Sequence, residues 1–431
     1  MKQHEAFKQA TWFSIVRGDT VGLWAVTLVL LFALALSTPR LSQSAEIGSD
    51  APAGPTGPPR VGAADLLDGL QGYPAAELTK MFNRCKKRIC VVNKTTDGQD
   101  AQHQEATLRH FVETAKKQKD DTLTWIIFDP KVFPPEGNGA IQLREKLLLG
   151  NNTILDGRGA KVTLWSPLDI HLVQIRDVRN VILKNLILHK VAPYAREKFV
   201  KKLDFPVKPG PQVDADRALK GVNRDGVSIR GRADNIWLDH CTLFLCGDES
   251  IGMSNIAGPG QTKVTVSWCY FFNQYYVALI GQTREDYLDD KRIRFTFHHN
   301  RIRGAARRSP RVNRATADIY NNYYEGWVDW AVAANANSKV LIEGNIFQPR
   351  AGASRMAVNI GTTNQIEGFV RTENNSLLSG AKTDSNEAER VSVPTYTRSV
   401  EKPDGRLQKR IRTGSGWRNL NVDFSTLKDS N

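Results

Sequence analysis

The sequence predicts an all-β fold in which short strands stack as a solenoid. From Leu147 onward the chain repeats a unit that consists of a short β-branched or aromatic strand and a small or polar residue at its end. After a first interval that contains an insertion, successive units end roughly 22 to 31 positions apart, which is a spacing typical of solenoids. A unit this short cannot bury its own apolar face, so stacking on its neighbours has to supply the core.

Asparagines at equivalent positions support the same fold. Three units end at Asn300, Asn322 and Asn345. Stacked one strand spacing apart, their side-chain amides can bond to one another along the solenoid axis and satisfy buried polar groups. Asparagine also tolerates the left-handed conformation that a tight turn needs. We therefore predict an asparagine ladder, because unrelated turn asparagines would not share this register.

The N-terminal segment, residues 1–45, has the pattern of an export signal. Basic residues, among them Lys2 and Arg17, precede an uninterrupted run of apolar and small residues from Val21 to Leu36. The run is shorter than the ~20 residues of a full membrane span. This pattern predicts a signal peptide or an uncleaved signal anchor. In either case we expect a secreted protein, or a membrane-anchored one whose folded domain lies outside the cell.

The next two segments differ in composition. Residues 46–75 are rich in Pro and Gly and are predicted to be a linker. We assign residues 76–380 to the solenoid domain. Within it, Glu105 to Lys117 has the apolar spacing of a helix, and Leu123 to Phe128 has the pattern of a buried strand.

Two further segments interrupt or end the repeat. Four prolines between positions 190 and 222 argue against regular structure and predict a long side loop. Residues 381–431 are polar and basic and lack apolar periodicity. They are predicted to form a tail that either wraps the solenoid or is disordered.

The charge and cysteine content limit the classes of partner. The chain has 59 Lys and Arg against 45 Asp and Glu, a net charge of +14, which favours a polyanionic partner. The basic residues are dispersed and match no known nucleic-acid module, so we expect an acidic polysaccharide and no nucleic acid. No C-x-x-C pair is present, which disfavours structural zinc. Cys241 and Cys269 are expected to be small buried side chains, whereas Cys85 and Cys90 are close enough in sequence to bridge.

The stretch between Asn223 and Asn313 contains the motifs that indicate a reaction. In chain order these are DGVSI beginning at Asp225, WLDHC ending at Cys241, GDESI beginning at Gly247, HHN ending at Asn300 and RSPRVN beginning at Arg308. Together they resemble the pectate lyase family of polysaccharide lyases. Their shared order over roughly 90 residues is more specific than any single motif. The resemblance implies a right-handed parallel β-helix with an early capping helix and long side loops.

The resemblance also implies a reaction, the β-elimination of a uronate linkage in pectate. A base removes the C5 proton beside the substrate carboxylate, and a bound Ca²⁺ neutralises that carboxylate. Arg308 stands at the family's base position, and Asp225 and Asp248 stand at two positions that bind calcium. An arginine base is unusual because a guanidinium is otherwise almost always protonated. Ca²⁺ together with Arg307, Arg311 and Arg314 is expected to supply the positive surroundings that favour loss of the proton. Arg311 and Arg314 are also expected to bind substrate carboxylates.

Three positions depart from the calcium-dependent pattern. Gly252 stands where a further Asp is usual, Tyr276 where a substrate-binding Lys is usual, and Asn313 where a second Arg is usual. We expect Tyr276 and Asn313 to line the substrate site. The departures leave open a lyase without calcium that acts on methylated pectin or another uronate polymer. A non-catalytic β-helix that binds acidic polysaccharide is a further alternative.

Other polar residues of the motifs are predicted to serve the fold. Asp239 and His240 are expected to be structural rather than catalytic. Glu249 follows Asp248 and would point to the opposite face of a regular strand, so it is the weaker ligand candidate. We therefore predict a monomeric pectate lyase with Arg308 as its base.

Overall fold

Parallel pairing between strands that are distant in sequence builds the fold. The computed structural model describes residues 60–98, 105–137, 139–190, 224–258, 260–282, 292–363 and 366–424. The predicted export segment and nearly all of the predicted 190–222 loop lie outside these residues. No helix within the described residues is long and apolar enough to span a membrane.

One wall of the solenoid is a sheet in which ten described strands pair in parallel. In chain order its strands are Lys86–Val92, Thr122–Phe128, Thr153–Asp156, Arg179–Lys184, Asp234–Asp239, Thr262–Ser267, Ile293–His298, Thr316–Tyr320, Lys339–Glu343 and Phe369–Glu373. The second of these contains the predicted buried strand.

The other walls belong to a sheet of nineteen described strands. In chain order these are Ala140–Gln142, Leu147–Leu148, Thr163–Ser166, Val173–Arg176, Ile187–Lys190, Val227–Gly231, Thr242–Phe244, Glu249–Ile256, Tyr270–Ile280, Arg301–Arg307, Arg311–Asn313, Tyr323–Trp327, Val332–Asn335, Ile346–Gln348, Met356–Ile360, Thr362–Thr363, Ile366–Glu367, Ser376–Leu377 and Lys382–Thr383. Nearly all of its pairings are parallel, and the exceptions involve the short Ile366–Glu367 strand.

One turn of the chain shows how these sheets form a coil. Asp234–Asp239 lies in the ten-stranded sheet, and Thr242–Phe244 and Glu249–Ile256 then form two successive walls of the larger sheet. The next strand, Thr262–Ser267, returns to the ten-stranded sheet and pairs with Asp234–Asp239 in parallel. This arrangement is the predicted parallel β-helix. It stacks residues that lie one repeat apart, which is what assembles the site described below.

Alternate side chains of each strand fill the interior. In Ile293–His298, Phe295 and Phe297 are completely buried in the main apolar cluster. Full burial of such a side chain contributes about 1.5–3 kcal/mol relative to exposure. Cys241 and Cys269 are also fully buried, as predicted. No disulfide joins Cys85 to Cys90.

The predicted asparagine ladder is present and longer than expected. Nδ2 of Asn300 donates to Oδ1 of Asn322 at 3.0 Å, and Nδ2 of Asn322 donates to Oδ1 of Asn345 at 2.9 Å. Asn345 continues the ladder to Asn375 at 3.1 Å. A second ladder, not predicted, stacks Asn152, Asn180 and Asn235 at another corner, each in the left-handed conformation.

Two helices precede the repeats. Leu108–Ala115 matches the predicted helix and places Leu108 and Val112 in the interior cluster. Its cap is Thr107, whose hydroxyl accepts from the main-chain N of His110 at 3.2 Å. Ala75–Arg84 packs on the outer side of the ten-stranded sheet.

Part of the predicted linker belongs to the fold. Arg60–Gly62 is a strand, Ala63–Leu67 is a 3₁₀ helix, and Leu66 is fully buried. The composition of residues 46–75 did not predict this packing. A few apolar residues among Pro and Gly are enough for a segment to pack on an existing sheet. Residues 46–59 lie outside the described residues.

The basic C-terminal segment wraps the solenoid, which was one of the two predicted alternatives. Its helix, Gly405–Gly414, buries Leu407 and Ile411. Its other contacts lie progressively closer to the start of the solenoid: Arg398 to Glu343 at 2.7 Å, Glu401 to His299 at 2.7 Å, Trp417 to Thr242 at 2.8 Å and Arg418 to Asn185 at 2.8 Å. The final strand, Asn421–Asp423, pairs with Arg60–Gly62. The two ends of the described chain therefore close the fold together.

Candidate active site

One wall of the solenoid brings together the residues of the sequence motifs. On this wall Val227 pairs with Ile251, Ile251 pairs with Ala278, and Leu279 pairs with Arg311. Asp225, Asp248, Tyr276 and Arg308 lie near the ends or bends of these strands. The coil therefore stacks residues that are more than 80 positions apart in sequence.

Three carboxylates converge at the start of two adjacent strands. One oxygen of each of Asp225, Asp248 and Glu249 lies within 4.8 Å of the others. Asp225 is only 5% exposed and Glu249 only 2%. His171, a residue that the sequence analysis did not identify, contacts this cluster. Its Nδ1 accepts from the main-chain N of Asp225 at 3.0 Å and lies 3.3 Å from Oδ2 of the same residue.

The cluster concentrates negative charge in a buried place. Burial and, after it, the neighbouring carboxylates Asp248 and Asp225 raise the pKa of Glu249 to about 8, against the opposing effect of Arg308. Several oxygen donors with excess negative charge are the ligands that Ca²⁺ prefers. The donor set therefore fits a calcium ion held by Asp225, Asp248 and Glu249.

Glu249 contributes more than the sequence predicted. Alternation along a strand had suggested that it faces away from Asp248. The strand begins only at Glu249, however, and Asp248 lies in the bend before it. The alternation of side chains along a strand therefore does not apply to Asp248 and Glu249, and both carboxylates join the cluster.

Gly252, the first departure from the calcium-dependent pattern, has a direct structural consequence. A Cβ atom at this position would lie 2.3 Å from Oδ2 and 2.5 Å from Cγ of Asp225. The carboxyl group of Asp225 thus occupies the space that a side chain at position 252 would need.

Arg308 lies at the edge of the carboxylate cluster. Its Nη1 donates to Oε1 of Glu249 at 2.5 Å, and its guanidinium carbon lies 3.6 Å from the ring centroid of Tyr276. The backbone at Arg308 is left-handed, with φ +59°. Such a conformation is uncommon for a residue other than glycine and often marks a functional position.

Two more arginines surround this group. Arg307 donates to the hydroxyl of Tyr276 at 3.2 Å and lies 3.4 Å from Asp329. Arg311 is half-buried, and burial together with the charges of Arg308 and Arg307 lowers the pKa of its guanidinium. The carboxylate cluster is therefore bordered by a cationic patch of three arginines.

Two further residues that were predicted to bind substrate, Asn313 and Arg314, are buried. Asn313 is fully buried, and its Nδ2 donates to the main-chain oxygen of Gly281 at 3.3 Å. This contact supports the turn, and substrate contact by Asn313 stays a prediction. Arg314, the next residue, is 5% exposed, and substrate contact by Arg314 stays a prediction.

Asp239 forms a buried network, as the prediction of a structural role requires. It accepts from Lys184 at 2.6 Å and from Ser267 at 2.7 Å, and it lies 2.7 Å from Nδ1 of His240. Although burial opposes ionisation, His240 and Lys184 hold the pKa of Asp239 well below its usual range. These contacts connect adjacent strands of the ten-stranded sheet.

Two plant pectate lyases are similar to this chain in sequence. Probable pectate lyase 16 of Arabidopsis thaliana is 30% identical over 286 residues, which is 66% of this chain and 63% of that protein. Pectate lyase 4 of Ambrosia artemisiifolia is 26% identical over 394 residues, which is 84% of this chain and 88% of that protein. The chain thus covers less than two thirds of the Arabidopsis relative.

Solved structures share the fold at lower identity. The cedar pollen allergen jun a 1 superposes with a TM-score of 0.56 and 23% identity, covering 77% of this chain and 89% of the allergen. The pectate lyase Bsp165PelA of Bacillus sp. N165, solved in complex with trigalacturonate, superposes with a TM-score of 0.52 and 15% sequence identity. The superposition covers 81% of this chain and 98% of the Bacillus chain. A family model described as pectate lyase matches residues 143–402. This match spans more than half of the 431 residues, and on that ground the chain belongs to the pectate lyase family.

Proposed function

We propose that this protein is a polysaccharide lyase that cleaves pectate by β-elimination. The observation that carries the proposal is the meeting of Arg308 with the carboxylate cluster of Asp225, Asp248 and Glu249, bordered by Arg307 and Arg311. The cluster supplies ligands for a cation, and the arginines supply a base and binding sites for uronate carboxylates.

The reaction removes the C5 proton, breaks the C4–O4 bond and leaves a double bond between C4 and C5. Arg308, acting in its neutral form, receives the C5 proton, and the electrons of the C5–H bond form the double bond. The C4–O4 bond breaks with its electron pair on O4, which takes a proton from water, and the hydroxide that remains takes the proton from Arg308 and restores the neutral base. Calcium, when bound by the three carboxylates, would neutralise the substrate carboxylate beside C5. Arg307 and Arg311 hold neighbouring uronates through charge-assisted hydrogen bonds.

The choice of pectate is supported by charge and by relatives. A net charge of +14 favours an acidic polymer. The Bacillus relative was solved with trigalacturonate bound. The basic N-terminal segment and the apolar run after it further support action outside the cell, as a secreted or membrane-anchored protein.

The experiment that tests this function is near-ultraviolet absorbance of the conjugated double bond that elimination leaves. The protein is incubated with polygalacturonate in calcium and, separately, in excess chelator. We expect absorbance to rise in calcium and to stay flat in chelator. Methylated pectin is the matched second substrate, because the departures at Gly252, Tyr276 and Asn313 leave open a lyase without calcium. Product from methylated pectin in chelator would support that alternative.

A flat trace with both polymers would contradict the proposal. Binding of polygalacturonate in the same samples, measured by calorimetry, would then indicate a non-catalytic polysaccharide-binding β-helix. A binding signal without product is the specific result that separates the two classes of function.

A further inference from the structure

The carboxylate of Glu249 pairs with Arg308 and also belongs to the carboxylate cluster of Asp225 and Asp248. We propose that Glu249 is shared between Arg308 and the calcium ion, so that calcium binding and the Arg308–Glu249 ion pair compete. This inference rests on the proposed function and concerns how that site is regulated. It assigns Glu249 two roles, as a calcium ligand and as a positioning residue for Arg308.

The first support is the geometry at Gly252. This position has no side chain to offer, and the carboxyl group of Asp225 lies where its Cβ would be. Within the part of the chain that the structure describes, the third carboxylate of the cluster is that of Glu249, whose carboxyl oxygen lies within 4.8 Å of those of Asp225 and Asp248. Glu249 thus takes the place that an acidic residue at position 252 would otherwise fill.

The second support is how firmly the backbone holds Glu249. Its main-chain oxygen accepts from the N of Gly226 at 2.9 Å, and the residue pairs with Tyr276 on the adjacent strand. With the residue 2% exposed, its side chain has little space in which to turn away from the cluster. Arg308 is the more mobile partner, because its side chain is 20% exposed.

The third support is the second contact of Arg308. Its guanidinium lies over the face of Tyr276 at 3.6 Å. A cation–π contact can hold the group when its ion pair is weakened. A divalent cation beside Glu249 repels the guanidinium and draws on the same carboxylate. Calcium would therefore weaken the Arg308–Glu249 contact while Tyr276 keeps the guanidinium in the site.

Calorimetric titration of calcium, without polysaccharide, tests this sharing. Glu249→Gln should weaken calcium affinity about tenfold or more, since it removes a charged ligand. Arg308→Ala should tighten calcium affinity about threefold to tenfold, since it removes a competing positive charge. Arg308→Lys keeps the charge and should bind calcium nearly as the parent does.

A matched ion pair on the neighbouring wall provides the control. Arg301 donates to Glu325 at 2.7 Å, away from the cluster. Arg301→Ala and Glu325→Gln should leave calcium affinity unchanged. Thermal unfolding of each variant checks that the fold is retained, and the Arg308 variants test the proposal even if Glu249→Gln does not fold.

The outcomes separate this inference from the proposed function. Unchanged or weaker calcium binding in Arg308→Ala would overturn the sharing of Glu249, as would parental affinity in folded Glu249→Gln. A parent that binds no calcium would overturn it as well. Because the titration contains no polymer, calcium binding that depends on Glu249 and Arg308 would support the inference even if polygalacturonate were not the substrate.

Discussion

The guanidinium carbon of Arg308 lies 3.6 Å from the centroid of the Tyr276 ring, and Nη2 of Arg307 donates to the hydroxyl of the same tyrosine at 3.2 Å. One aromatic side chain therefore positions two neighbouring arginines. Calcium-dependent members of the family usually carry a lysine at this place. Tyr276 carries no positive charge of its own, but its ring and hydroxyl orient the guanidinium groups of Arg308 and Arg307.

This arrangement predicts different effects for two changes at Tyr276. Tyr276→Phe keeps the ring under Arg308 and should leave kcat within about threefold of the parent. Tyr276→Ala removes the ring and should lower kcat about tenfold to a hundredfold, because a misplaced base loses orientation. Steady-state kinetics on polygalacturonate measures both. Equal losses in the two variants would show that the ring face does not orient Arg308.

Gly252 is predicted to protect the calcium site by its lack of a side chain. Gly252→Ala places a Cβ 2.3 Å from the Asp225 carboxyl and must displace it. We expect the calcium concentration that gives half-maximal activity to rise about tenfold or more. Gly260→Ala is the matched control, because a Cβ there meets no atom within 4 Å. Identical calcium titrations for both variants would contradict the proposed role of Asp225.

The asparagine ladder predicts a large stability cost at its centre. Asn322 donates to Phe297 at 2.8 Å and to Asn345 at 2.9 Å, and accepts from the main-chain N of Asn300 at 2.9 Å. Asn322→Ala leaves these buried partners unsatisfied and should lower the free energy of unfolding by about 3 kcal/mol. Asn375→Ala, at the half-exposed end of the ladder, should cost less, about 1 kcal/mol. Urea denaturation compares the two, and equal costs would argue against a cooperative ladder.

The docked C-terminal segment predicts a pH dependence of stability. Burial raises the pKa of Asp318 to about 6, despite its contacts with Arg398 and Tyr396. The folded state therefore holds the Asp318 proton more tightly than the unfolded state, whose pKa is near 3.9. This contribution to stability is complete below pH ~4 and is lost as the pH rises to about 6.

Asp318→Asn removes that dependence. The free energy of unfolding of the variant relative to the parent should rise between pH ~4 and ~6, by up to about 3 kcal/mol. Chemical denaturation at several pH values measures the free energy of unfolding of variant and parent. The contributions of the other carboxylates are common to both proteins and cancel in the difference. A difference that is constant across this range would contradict the raised pKa of Asp318.

The sequence was sufficient to predict the solenoid and part of the site. The spacing of Asn300, Asn322 and Asn345 predicted the ladder because each amide bonds to its equivalent one repeat away, so periodicity carries the information. Arg308 and Asp225 lie within motifs of fixed order, and the structure brings them to one wall. The ladder depends on the repeat alone, whereas Arg308 and Asp225 were identified through the resemblance of their motifs to those of the pectate lyase family.

Other features depend on contacts that the repeat does not encode. The role of Glu249 depends on where its strand begins, which alternation cannot fix. His171 contacts Asp225 although the two residues are 54 positions apart in sequence, on either side of the 190–222 segment. His171 belongs to none of the sequence motifs. Trp417 contacts Thr242, 175 positions earlier in the chain. Sequence periodicity cannot predict the docking of a segment that has none.

The most direct test of the central claim is the rate of near-ultraviolet product formation by Arg308→Lys and Arg308→Ala in saturating calcium and polygalacturonate. A positioned base contributes about a hundredfold to ten-thousandfold, and we expect both variants to lose at least this much. Arg303→Ala, which alters an exposed arginine on the neighbouring wall, should retain the parental rate. If Arg308→Ala formed product at the parental rate, Arg308 would not be the base and the proposed mechanism would be wrong.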